Sequence, residues 1–103
     1  MSEVLDKPIT IEGLRERREE ILEIAKKCGA IRVRVFGSVA RGESTSGSDV
    51  DFLVQFDEQA SMWEIIRLWR KLGELLGREV SVIAETAPKD VFMQNALRDA
   101  VEL

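Results

Sequence analysis

The chain has 103 residues, 45% of them hydrophobic and 33% charged, with a net charge of −4: the make-up of a single globular domain, residues 1–103, with its own core. The acidic balance argues against direct nucleic-acid binding through phosphate neutralisation, no apolar run approaches the ~20 residues that span a bilayer, and the lack of histidine excludes a His-ligated zinc site and a His general base. A single cysteine, Cys28, excludes an internal disulfide, and the N-terminus MSEVLDKPIT lacks the apolar stretch of a signal peptide, so the expected location is cytoplasmic.

Thr10 to Cys28 reads as a helix, with Thr10 as N-cap, Gly29 as stop and Leu14, Ile21, Leu22, Ala25 and Cys28 at helical spacing. Its arginines and glutamates form a solvated face. Ile31 to Phe36 (IRVRVF) alternates as a strand, with Ile31, Val33 and Val35 pointing one way. Asp49 to Phe56 (DVDFLVQF) alternates too, with Val50, Phe52, Val54 and Phe56 on one face and Asp49, Asp51, Leu53 and Gln55 on the other. Ser61-Met62-Trp63-Glu64 matches a capping box. The helix it opens carries Met62, Ile65, Ile66, Trp69, Leu72 and Leu76 inward and stops at Gly77.

Glu79 to Ile83 reads as a third strand, and Pro88 to Ala100 as a last helix with Val91, Phe92, Ala96 and Leu97 inward. Trp63, Trp69, Phe92, Met93 and Cys28 are all expected in the core. The order α-β-β-α-β-α predicts an α/β (α+β) domain: a small mixed β-sheet with helices packed on one face. The other sheet face, with Asp49, Asp51 and the arginines Arg32 and Arg34, is then open.

Between the first two strands lies VFGSVARGESTSGSDVDFLV, and it raises a physical problem. Asp49 and Asp51 sit two residues apart on a strand, so their carboxylates point the same way, with Cα atoms about 6.5–7 Å apart. Like charges so placed repel unless a cation lies between them. Mg²⁺ answers this need, because it takes oxygen ligands and completes its shell with substrate phosphates. Two such ions can clamp the attacking and leaving oxygens of a phosphoryl displacement.

Gly37 lets backbone approach a phosphate, and the Ser38 hydroxyl can donate to it. The following VAR can start a short helix, and Arg41 can pair with a triphosphate or with Asp49. Gly42 to Ser48 forms a polar loop able to fold over a ligand. A Gly-Ser break is ordinarily just a turn and an Asp-x-Asp pair just a solvated strand start. The combined spacing is rarer: at roughly 6% usage per residue type, a chain this long shows it by chance about once in a thousand.

GSVARGESTSGSDVDFLV resembles the signature of the polymerase-β-type nucleotidyltransferases, and the length and element order resemble their minimal nucleotidyltransferase (MNT) group. The resemblance covers the chain from about Ile11 onward. It implies Mg²⁺-dependent transfer of a nucleoside monophosphate from an NTP, AMP from ATP foremost, to a hydroxyl. Gly37, Ser38, Arg41 and Ser48 then serve the nucleotide, and Asp49 and Asp51 are catalytic and hold metal, with two ions at work. Similar minimal proteins are antitoxins beside a helical HEPN toxin, some by adenylylating a toxin tyrosine.

One position departs from the family pattern. In Gly77-Arg78-Glu79-Val80-Ser81-Val82, Ser81 stands where the pattern has a third aspartate, with Glu79 and Glu85 as nearby carboxylates. Two readings follow: a transferase acting on a partner protein, or a catalytically weak or inactive nucleotide-binding module that neutralises its partner by binding. Transfer to a small molecule, with a separate helical subunit, is a third.

Overall fold

The computed structural model describes residues 8–86 and 90–103. Thr10 caps the first helix as expected, its hydroxyl accepting from the Gly13 N–H at 3.0 Å. The helical stretch is two helices, α1 (Ile11–Glu16) and α2 (Arg18–Lys27). They part at Arg17, whose guanidinium donates to the Leu75 carbonyl 58 residues away, at 3.1 Å. Next come β1 (Ala30–Phe36), α3 (Gly37–Arg41), β2 (Val50–Phe56), α4 (Met62–Leu76), β3 (Val80–Ala84), α5 (Val91–Asp99) and β4 (Val101–Glu102).

The four strands form one mixed sheet in the order β3-β2-β1-β4. β1 runs antiparallel to β2 and β4, and β2 runs parallel to β3. The parallel pair needs a crossover, which α4 supplies. β4 was not expected. The last helix ends at Asp99 instead of continuing through Ala100, where the backbone becomes extended (φ −64°, ψ 133°) and lets Val101 pair with Val35. Its expected start, Pro88, lies outside the described residues.

The larger core cluster joins Val33, Val35, Val50, Phe52 and Val54 of the sheet to buried residues of α1 to α4, among them Leu14, Ile21, Val39, Leu68 and Leu72. So far the helices cover one face, as expected. Leu53, however, is also fully buried, although strand alternation turns it away from Phe52 and Val54. It packs with Phe36, Met93 and Ala96, which places α5 on the opposite face. The apolar Leu53, Phe36 and Ile83 gain from that cover. The second face is therefore open only in part.

Several inward assignments change, Leu22 of α2 among them, which is 38% exposed. Ile31 sits where the β1–β2 register shifts between Ala30 and Arg32, and this bulge turns it outward, 61% exposed. On α4 the capping box forms, but the buried stripe is Leu68 and Leu72, with Trp63 left 74% and Trp69 47% exposed. On α5, Met93 and Ala96 are buried while Val91 and Phe92 are exposed. Cys28 is buried as expected, and burial pushes its thiol up. Among the described residues no helix is long and apolar enough to cross a membrane.

Candidate functional site

Strand register assembles the site. Phe36 lies opposite Asp51 on one side, and Ser81 lies opposite Asp51 on the other. The turn out of β1 thus meets the start of β2, and β3 brings a hydroxyl against them. Gly37 begins α3 with φ +76°, and a Cβ built there would stand well inside 3.0 Å of Asp51 Oδ2. Glycine is needed twice over: for the left-handed backbone and because the carboxylate occupies the space of a side chain.

Asp51 is half-buried and Asp49 exposed. Burial pushes the Asp51 carboxyl above its ordinary value, a hydrogen bond from the Ser81 hydroxyl pulls it down, the charge of Asp49 pushes it up, and Arg41 pulls it down. The two aspartates feel each other, as the strand spacing requires. Their excess negative charge suits a hard divalent cation. Among the described residues no three His, Cys, Asp or Glu side chains form a closed metal cage. Mg²⁺ does not need one, since one or two carboxylates plus phosphate oxygens usually hold it. The pair fits that ion as an open, half-protein shell.

Ser38 follows Gly37 in the first turn of α3, half-buried, and its carbonyl accepts from Glu43 N–H at 2.8 Å. Arg41 is engaged by two carboxylates, Glu43 Oε1 at 2.9 Å and Asp99 Oδ2 at 2.7 Å. Asp99 comes from the end of α5, and nothing local in the sequence signals that pairing. Ser48 accepts the Thr45 N–H at 2.8 Å and so closes the loop on itself. The same loop is held from outside by Ser44 Oγ donating to the Ile9 carbonyl at 2.6 Å and Arg78 donating to the Ser46 carbonyl at 3.0 Å.

Of the two carboxylates weighed as neighbours of Ser81, Glu85 is committed elsewhere: it pairs with the largely buried Arg34 at 2.5 Å. Glu79 is exposed, and its carbonyl accepts from Val50 N–H at 3.2 Å. The resemblance set Ser81 at the position of a third aspartate of the site, and the β2–β3 register puts it opposite Asp51. What sequence reading missed is that the Ser81 hydroxyl donates to the Asp51 carboxylate.

Residues 19–103 match the family model described as polymerase beta, nucleotidyltransferase. Protein adenylyltransferase MntA of Thermococcus cleftensis is 37% identical over 79 residues, 77% of this chain and 80% of that protein. A solved structure provisionally described as a minimal nucleotidyltransferase superposes with a TM-score of 0.80 at 42% identity, over 92% of this chain and 97% of the other. The structure of a tri-AMPylated Shewanella oneidensis HEPN toxin in complex with an MNT antitoxin shares the fold, with a TM-score of 0.65 at 16% identity, over 85% of this chain and 69% of that one.

Proposed function

The chain belongs to the polymerase beta nucleotidyltransferase family, and on that premise we propose that it transfers AMP from ATP to a hydroxyl of a HEPN-type partner protein, as the antitoxin of a toxin–antitoxin pair. The observation that carries this reading is the Asp51 carboxylate lodged against Gly37, with Asp49 beside it in the chain. That contact joins a phosphate-approaching turn to a cation-seeking carboxylate pair.

In this reading Gly37 and Ser38 receive the phosphates. Arg41 exchanges one of its carboxylate partners for a phosphate oxygen, and Ser48 keeps the adjoining loop closed. Asp49 and Asp51 hold Mg²⁺, which when bound neutralises phosphate charge. The acceptor oxygen bonds to the α-phosphorus, the bond to the bridging oxygen breaks, pyrophosphate leaves, and the hydroxyl proton is released to solvent. None of the 103 residues is a tyrosine, so a tyrosine acceptor has to come from outside them.

A second reading also has an observation behind it. Ser81 presents a hydrogen-bond donor to Asp51, not a further carboxylate. A domain so built can retain nucleotide and partner binding with weak or no transfer. One assay separates the two: the chain with the product of its neighbouring gene, labelled ATP and Mg²⁺, then intact mass on both proteins. A gain of one or more AMP on the partner supports transfer. An unmodified partner that still binds supports the blocking module.

Ser81→Asp tests the same position. A third carboxylate beside Asp51 replaces a hydrogen bond with a repulsion, so without divalent ions stability is expected to fall by about 1–2 kcal/mol. Mg²⁺ is expected to restore it, read as a larger Mg²⁺-dependent rise in Tm than in the wild type, together with faster transfer. A Tm indifferent to Mg²⁺ removes Ser81 from the metal's surroundings.

A further inference from the structure

The longest helix carries two apolar stripes, and the fold uses one. Leu68 and Leu72 of α4 are fully buried, while Met62 (68% exposed), Trp63 (74%), Ile66 (37%) and Trp69 (47%) crowd a different side of the same helix. Single exposed apolar residues are ordinary, but four within two turns form a contiguous patch, which marks an interaction surface. Trp63, Ile66, Arg67, Arg70, Lys71 and Glu74 line a groove of ≈ 520 Å³ along it. Trp63, Arg67, Arg70 and Glu74 follow one another at intervals of four, three and four residues, with Ile66 and Lys71 on either side of that row, so one broad helix face presents them all.

The charge of this groove runs against that of the chain. Three cations face one anion here, on a protein whose net charge is −4. The groove is continuous, through Arg70 and Glu74, with a second that reaches Glu79 and Val80 at the start of edge strand β3. Val80 precedes Ser81, the neighbour of Asp51, and its carbonyl accepts the Trp69 Nε1–H at 2.9 Å. Strand alternation turns Asp51 and Ser81 to the sheet face opposite α4, so a protein seated on α4 meets them by reaching round the β3 edge, where the second groove lies.

We propose that the exposed face of α4, centred on Trp63, Ile66, Arg67 and Arg70, docks an acidic amphipathic helix of the acceptor protein and so brings that protein's hydroxyl to the Asp49–Asp51 edge. This deepens the transfer reading and rests on it. An apolar stripe on the incoming helix meets Met62, Trp63 and Ile66, and its flanking carboxylates meet Arg67, Arg70 and Lys71. Trp and Arg are the residue types that most often dominate interface energetics, and helix-in-groove docking uses anchors at this spacing. A single-stranded nucleic acid fits less well, because Met62 and Ile66 offer it no stacking surface and Glu74 repels its phosphates.

The test uses the full chain and the partner protein of the transfer assay, with affinity read by titration calorimetry. Arg67→Glu with Arg70→Glu is expected to weaken partner binding about 100-fold, and Trp63→Ala about 10-fold. Mg-ATP affinity and the circular dichroism spectrum are expected to stay at wild-type values, since all three side chains are exposed. Partner affinity within twofold of wild type in both variants overturns the docking surface, as does a wild-type chain that binds no partner. A chain that sediments alone as a dimer, and as a monomer after Arg67→Glu with Arg70→Glu, assigns the face to a second copy and overturns the proposal. So does tight binding of a twelve-residue oligouridylate that the same variant loses. A wild-type chain that fails to bind Mg-ATP, while the surface variants still lose the partner, removes the transfer reading and leaves the docking surface standing.

Discussion

Replacing both carboxylates by their neutral isosteres, Asp49→Asn with Asp51→Asn, is expected to weaken Mg²⁺-dependent ATP binding by at least 100-fold, about 2.7 kcal/mol or more. The amide keeps the shape of the side chain, so Ser81 retains an oxygen to donate to and the fold retains its packing. What disappears is the charge that draws the cation. The direction of the stability change separates site from scaffold. In the folded protein burial and the charge of Asp49 hold the Asp51 carboxyl above its ordinary value. A carboxyl raised in this way favours the folded state below its unfolded value and loses that advantage as pH rises through the folded one. Ionised Asp51 therefore costs stability at neutral pH, and the amides are expected to raise Tm in the absence of Mg²⁺. Titration calorimetry with and without Mg²⁺ and thermal melts read both effects. Unchanged Mg-ATP affinity removes the aspartates from the site; a lower Tm makes them structural.

Gly37→Ala is the second large effect, and it arises from crowding. The residue holds φ +76°, where an L side chain costs roughly 1–2 kcal/mol. The new methyl group also collides with Asp51 Oδ2, so either the turn or the carboxylate has to move. A turn that moves spoils the approach to phosphate; a carboxylate that moves spoils the metal's shell. Mg-ATP affinity is expected to fall about 100-fold or more, about 2.7 kcal/mol, with Tm lowered by several degrees. Gly42→Ala provides the control. It shares the left-handed backbone, at φ +75°, but nothing lies within 4 Å of its added Cβ. It is expected to lower Tm without changing affinity. Equal affinity losses in the two variants make the effect one of backbone strain, unconnected with Asp51.

The candidate site was legible because its parts are local. A glycine and serine ending one strand and an Asp-x-Asp at the head of the next lie within 15 residues of each other, and extended-strand geometry is what leads one to expect both carboxylates on the same side. The Thr10 cap and the Ser61–Glu64 capping box were legible for the same reason, since each closes within one helical turn. The site's surroundings were not. Arg41 meets Asp99 across 58 residues, Arg34 meets Glu85 across 51, and neither pairing leaves a trace in periodicity.

The amino-acid sequence by itself determined the first three strands, the turn at Gly37, the paired aspartates and the family. Tertiary structure alone decided which of two apolar stripes on α4 became core, that α5 crosses to the second face to cover Leu53, and that the last residues join the sheet as β4. Local patterns set which side chains share a face, because backbone geometry within an element is periodic. Which face is buried depends on the shape and area offered by elements distant in the chain. A helix with apolar residues on more than one side leaves that choice to packing: Leu68 and Leu72 went inward, and Trp63 remained in solvent.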